Sequence, residues 1–93
     1  MNNYMNIIIN NRKLLEAHVR TARAIVDRSD ALLRDVDAHP ETKPMALSWL
    51  KQAELWAVNR GDERLASLMR ITAMIAKFPP APVGYVTTRK YAA

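Results

Sequence analysis

The 93-residue sequence predicts an all-α fold in a single domain, either an antiparallel helical hairpin or a three-helix bundle. Three observations predict it. Apolar residues recur at three- and four-residue steps over long stretches, the spacing that lines one side of a helix. The chain has only two glycines, so little interrupts those stretches. Its five prolines fall in two places, around residues 40–44 and 79–82, where they mark helix ends.

The first helix is read at about residues 12–38. Leu15, Val19, Ala22, Ile25, Val26, Leu32, Leu33 and Val36 form one stripe, and Arg12, Arg20, Arg23, Asp27, Asp30 and Arg34 occupy the other side. Asn10 or Asn11 suits the N-cap, where a side-chain oxygen accepts from an orphan backbone N–H. His39-Pro40 closes the helix, because a residue before proline avoids the helical region. The preceding residues 1–11 are Asn-rich around Ile7-Ile8-Ile9. Three β-branched residues in a row favour an extended N-terminal arm, the alternative being a hydrophobic lead-in to the first helix.

Pro40-Glu41-Thr42-Lys43-Pro44 is a short turn, with Thr42 suited to capping and Pro44 to a first helical turn. So short a connection makes the next helix an antiparallel neighbour. That helix, residues 43–59, carries the stripe Ala46, Leu50, Ala53 and Ala57, with Trp49 and Trp56 beside it. Leu47, Leu55 and Val58 lie elsewhere on its surface. A helix apolar around much of its circumference needs cover on more than one face, which points to a homo-oligomer.

Residues 59–63 allow two readings. Gly61 ends the helix in a left-handed conformation and Asp62 caps a third helix at 62–77. Alternatively one helix continues to Lys77, with Gly61 costing ~1 kcal/mol relative to Ala. Continued at 100° per residue, Leu68, Ile71 and Ile75 fall within roughly 40° of the Ala46–Ala57 stripe. Beyond it, Pro79, Pro80 and Pro82 impose extended geometry on a Pro-rich basic tail, 78–93. Tyr85-Val86-Thr87-Thr88 has strand propensity and is a candidate partner for Ile7–Ile9, the alternative being a disordered tail.

Charge is unevenly placed. Fourteen Lys and Arg stand against nine Asp and Glu, a net +5. Residues 64–93 hold Arg64, Arg70, Lys77, Arg89 and Lys90 without a single acid. That block attracts anions through its local potential, or serves solubility alone. With no cysteine, disulfide, thiolate-zinc and cysteine-nucleophile chemistry are excluded. No apolar run approaches the ~18–20 residues of a membrane span, and the first residues lack a signal-peptide pattern. The expectation is a soluble, cytoplasmic protein without a membrane partner.

Catalytic patterns are missing too. His18 and His39 stand apart and form no metal motif, and His18 is read as a packing histidine. Asp27 and Asp30 are interspersed with arginines and read as a solvated face. No serine sits in a nucleophile elbow, and two glycines make no phosphate-cradling loop. The expectation is a non-enzymatic protein with no cofactor and no metal. Trp56 and Trp49 read as core, while Tyr4, Tyr85 and Tyr91 are freer to stack on a base.

Lys43-x-x-Ala46-x-Ser48-x-Leu50-x-x-Ala53-x-x-Trp56-Ala57 follows a long helix and a polar turn. Over residues 12–60 this resembles the phage helical-hairpin family that includes the anti-CBASS cyclic-nucleotide sponges and relatives of Thoeris anti-defence sponges. Lys43, Ser48, Trp56 and Ala57 are the positions shared with its motif. The resemblance implies stoichiometric binding of a cyclic di- or oligonucleotide messenger by a homo-oligomer in an infected bacterial host, with pockets between protomers. For such an anionic ligand, residue type selects Arg12, Arg20, Lys43, Arg64, Arg70 and Arg89 as phosphate clamps and Tyr4 as a stacking partner. Two alternatives compete: a basic helical regulator that binds nucleic acid, and a protein-directed inhibitor or assembly subunit.

Overall fold

The computed structural model describes residues 2–78, with side chains from Met5 onward. Three α-helices account for nearly all of this stretch: α1 Asn2–Ala38, α2 Lys43–Asn59 and α3 Glu63–Lys77, with a 3₁₀ turn at Pro40–Thr42 between the first two. The all-α expectation holds. The strand expected at 85–88 lies outside the described residues, and Ile7–Ile9, its expected partner, are helical.

The start of α1 is the first correction. Residues 2–11, expected to be extended, belong to the helix, and neither Asn10 nor Asn11 caps it. The propensity penalty of isoleucine and asparagine is only a few tenths of a kcal/mol per residue. Once packing of residues 18–36 has covered the cost of nucleation, each added turn costs little. The C-terminal end is as expected, with Ala38 the last helical residue before His39-Pro40.

Thr42 precedes α2 and Pro44 lies in its first turn, where no N–H is missed. Thr42 does not cap with its side chain: its hydroxyl donates back to the His39 carbonyl at 2.8 Å and tightens the turn instead.

Of the two readings of residues 59–63, the structure takes the first. α2 and α3 are separate helices. Gly61 has φ 71°, the conformation that L-residues disfavour and glycine takes freely. The Gly61 N–H donates to the Val58 carbonyl at 3.0 Å and the Asp62 N–H to the Ala57 carbonyl at 2.9 Å. This pair of bonds is a Schellman closure, which satisfies carbonyls the helix end leaves open. Asp62 then accepts from the Leu65 N–H at 3.0 Å as the N-cap of α3.

This reversal resets the helical phase. α3 buries Leu65, Ala66, Met69, Thr72 and Ala76, and leaves Leu68, Ile71 and Ile75 exposed. The continuous stripe expected through those three residues is therefore absent.

The core has two parts. Leu50, Ala53 and Ala57 of α2 meet Leu65, Ala66 and Met69 of α3, flanked by Ala22, Ile25 and Val26 of α1. Nearer the 3₁₀ turn, Leu32 and Val36 of α1 pack on Ala46. Trp49 touches both parts. Alanines at 53, 57 and 66 let the α2 and α3 backbones approach closely, and this is the most extensive helix pair. Two buried hydroxyls are satisfied locally: Ser29 donates to the Val26 carbonyl and Thr72 to the Leu68 carbonyl. α1 outreaches the hairpin it packs on. From Met5 to Ala17 every residue is exposed, and His18 is the first half-buried position.

Candidate functional site

The most varied side-chain chemistry gathers where α1 crosses the α2–α3 reversal. Asp62 is fixed there by the Schellman turn, and its second carboxylate oxygen, Oδ2, lies 2.7 Å from His18 Nε2. An ionised carboxylate only accepts, so Nε2 carries the proton in this bond. The His18 ring stacks on Trp56 with centroids 5.1 Å apart and planes 12° from parallel. One turn after Trp56, Arg60 places its guanidinium carbon 4.2 Å from the indole centroid, a cation–π contact. His18, Arg60, Asp62, Glu63 and Arg64 line an open cleft of about 600 Å³ together with Leu14 and Leu15.

The Asp62 carboxyl is held below the ordinary aspartate value of 3.8. The Leu65 N–H is the main cause, and the His18 bond adds to it. A depressed carboxylate contributes stability above its unfolded value and loses it as pH falls through the folded one. Asp62→Ala removes the cap, and the expected loss at pH 7 is about 1 kcal/mol. In urea titrations the gap between wild type and variant should close as pH drops below 3.8. A gap of equal size at neutral and strongly acid pH would contradict this assignment.

The cations chosen by residue type do not converge within one chain. Only Arg64 lines the cleft. Arg12 and Arg20 are exposed on α1, Arg20 turned away from its apolar stripe and Arg12 at the stripe's edge. Lys43 lies at the far end of the hairpin, where its ammonium donates to the Lys77 carbonyl at 3.1 Å and closes the C-terminus of α3. Arg70 donates to Glu54 at 2.7 Å, with Lys51 also near that carboxylate. The Arg70 bond is the main reason the Glu54 carboxyl sits below its usual range. Tyr4 is in the first turns of α1 with its side chain outside the described set, and Arg89 lies outside the described residues altogether.

His18, Trp56, Arg60 and Asp62 are the residues that residue-type selection missed. Trp56 and Arg60, four residues apart across the end of α2, were the legible half of the cluster. The His18–Asp62 pair spans 44 positions and becomes visible only once α1 is laid on the hairpin.

Among the described residues, no three His, Asp or Glu side chains are placed to hold a metal ion. No described helix is long and apolar enough to cross a membrane. Comparison with protein-family models, with curated proteins and with solved structures finds no match.

Proposed function

We propose that the chain is a non-catalytic helical docking module, an assembly subunit or protein-directed inhibitor. One observation carries this reading: α3, well packed on one side, bears an apolar flank on the other. Leu68, Ile71 and Ile75 fall within about 60° of one another around the helix. Met74 and Phe78 extend that flank, and Ile71 is 54% and Phe78 74% exposed. Large side chains gathered in this way on a small protein mark a contact surface. The His18–Asp62 pair fits the same view. Both groups are committed to structural bonds, and no hydroxyl among the described residues is hydrogen-bonded to the imidazole.

Site-specific photocrosslinking in the producing cell tests the reading. A photoreactive residue at Ile71 or Ile75 should give a discrete crosslinked product, and one at Arg28 on the solvated side of α1 should not. Equal, diffuse labelling at all three positions would remove the proposal.

A second reading follows the resemblance to cyclic-nucleotide sponges, and the cleft favours it. Arg60 and Arg64 bring two guanidiniums, the groups that grip a phosphate, to one opening that the carboxylates of Asp62 and Glu63 also line. Native mass spectrometry with a panel of cyclic di- and trinucleotides decides it: an adduct lost in Arg60→Ala and Arg64→Ala supports a sponge, and no adduct removes it. The nucleic-acid alternative has weaker support, because the described cations scatter. Steeply salt-dependent binding to a long duplex would restore it.

A further inference from the structure

We infer that the free N-terminal part of α1 pairs with the same segment of a second copy of this chain, seam against seam. The inference rests on the reading of exposed apolar faces as docking surfaces, and it assigns a different face to a defined partner.

The seam is continuous with one the fold already uses. From His18 to Val36 the side of α1 that meets the hairpin steps through Ala22, Ile25, Ser29 and Leu32 at alternating intervals of four and three. This is the 3.5-residue repeat by which helices pack along a shared axis. Stepped backwards without a break of phase, the repeat gives Leu15, Asn11 and Ile8. Ile7 and Leu14 widen it on one side, Met5 and Val19 on the other. The first part of the seam is covered by α2 and α3. The second stands in water, with Leu15 63% exposed and Ile8 53%. Propagation from the packed part keeps the arm helical but leaves its apolar side chains without cover.

Charge and area choose a second copy as that cover. Lys13 and Glu16 lie on the back of the arm, away from the seam, as Arg20 and Arg23 do further along α1, and only Arg12 reaches its edge. Two identical basic arms can therefore meet with their like charges turned outward. An acidic partner or a nucleic acid would find no cation on the seam to engage. The exposed surface of Met5, Ile7, Ile8, Leu14, Leu15 and Val19 is on the order of 700 Å², close to the roughly 800 Å² per partner of a specific interface. A two-fold pairing uses the same patch twice and closes on itself. Asn11, midway along the free seam, is the kind of polar residue that fixes register in such pairs.

The experiment combines solution mass with crosslinking of the full chain. Sedimentation equilibrium at micromolar concentration should give twice the single-chain mass. Ile8→Gln combined with Leu15→Gln, both outside the folded core, should return the single-chain mass with the near-ultraviolet spectrum of the tryptophans unchanged. Lys13→Gln on the back of the arm should leave the mass doubled. The chain has no cysteine of its own, so Asn11→Cys under mild oxidation should form a disulfide-linked dimer and Lys13→Cys should not. A single-chain mass for the wild type, a doubled mass that survives the Ile8 and Leu15 changes, or failure of Asn11→Cys to crosslink would each overturn the inference. Photocrosslinks from Ile71 or Ile75 alongside any of these results would leave the docking reading of α3 standing. Their absence alongside a seam-dependent dimer would remove that reading and keep this one.

Discussion

Met69→Ala is expected to cost about 2–5 kcal/mol of folding stability, the range for truncating a fully buried aliphatic side chain. Met69 has no exposed surface and sits among Leu50, Ala53 and Ala57 of α2, and Leu65 and Ala66 of its own helix. Four of these five neighbours are too small or too tightly held to collapse into the space. Ala53, Ala57 and Ala66 have nothing to extend, and the backbone of Leu65 is held in place by the Asp62 cap. The cost should fall toward the upper part of the range for that reason. Small domains are stable by only about 5–15 kcal/mol, so the variant should be partly unfolded at moderate temperature. Urea titration followed by helical ellipticity measures this as a lower midpoint with an unchanged slope. A loss under 1 kcal/mol would mean that α2 and α3 close over the gap, and that the alanine seam is softer than described.

Trp49→Ala is the second large effect, about 2–4 kcal/mol. Trp49 is only half-buried, so it removes less surface from water than a fully enclosed indole would. Its importance is positional. It touches both the Leu50–Met69 cluster and the Leu32–Val36–Ala46 cluster. Without it the two parts of the core are joined mainly through the backbones of α1 and α2. The expected thermal midpoint falls by some 10 °C or more, at 4–8 °C per kcal/mol for a domain of this size. A second signature is loss of cooperativity, with the transition monitored by Trp56 fluorescence separating from that monitored by ellipticity. Coincident transitions and a midpoint within about 4 °C of wild type would show that Trp49 fills space and couples nothing.

How much of this was legible depends on which residue carries the information. Pro44, Gly61 and Asp62 are local signals, and α2 begins and ends where they place it. The inner stripe of α1 was legible because Leu32 and Val36 recur with helical spacing and bury as that spacing requires. The start of α1 was not, because Ile7–Ile9 carry a small local preference for extension that a helix anchored further along overrides. The buried face of α3 was not, because it depends on the direction in which the chain leaves Gly61. That direction is a property of one left-handed residue, and periodicity carried across it points to the wrong side. Site selection by residue type found cations and stopped there. Whether Arg70 is available depends on Glu54, sixteen residues away, and whether His18 is a packing residue or a latch depends on Asp62. Those facts belong to the assembled helices.

The Schellman reversal at Gly61 has a consequence for how the molecule comes into being. It makes the main core, Leu50 to Met69, a contact between near neighbours in sequence, the kind that forms fast. Only the end of α1 has such a neighbour, where Leu32 and Val36 meet Ala46. During synthesis the rest of its apolar stripe, Ala22 to Val26, emerges early and lacks its full cover until Met69 has been added. Its docking on the finished hairpin should therefore be the last step of folding. A nascent chain halted before residue 61 would present that stripe unshielded, and this is the stage at which the protein is most exposed to aggregation and most in need of a chaperone.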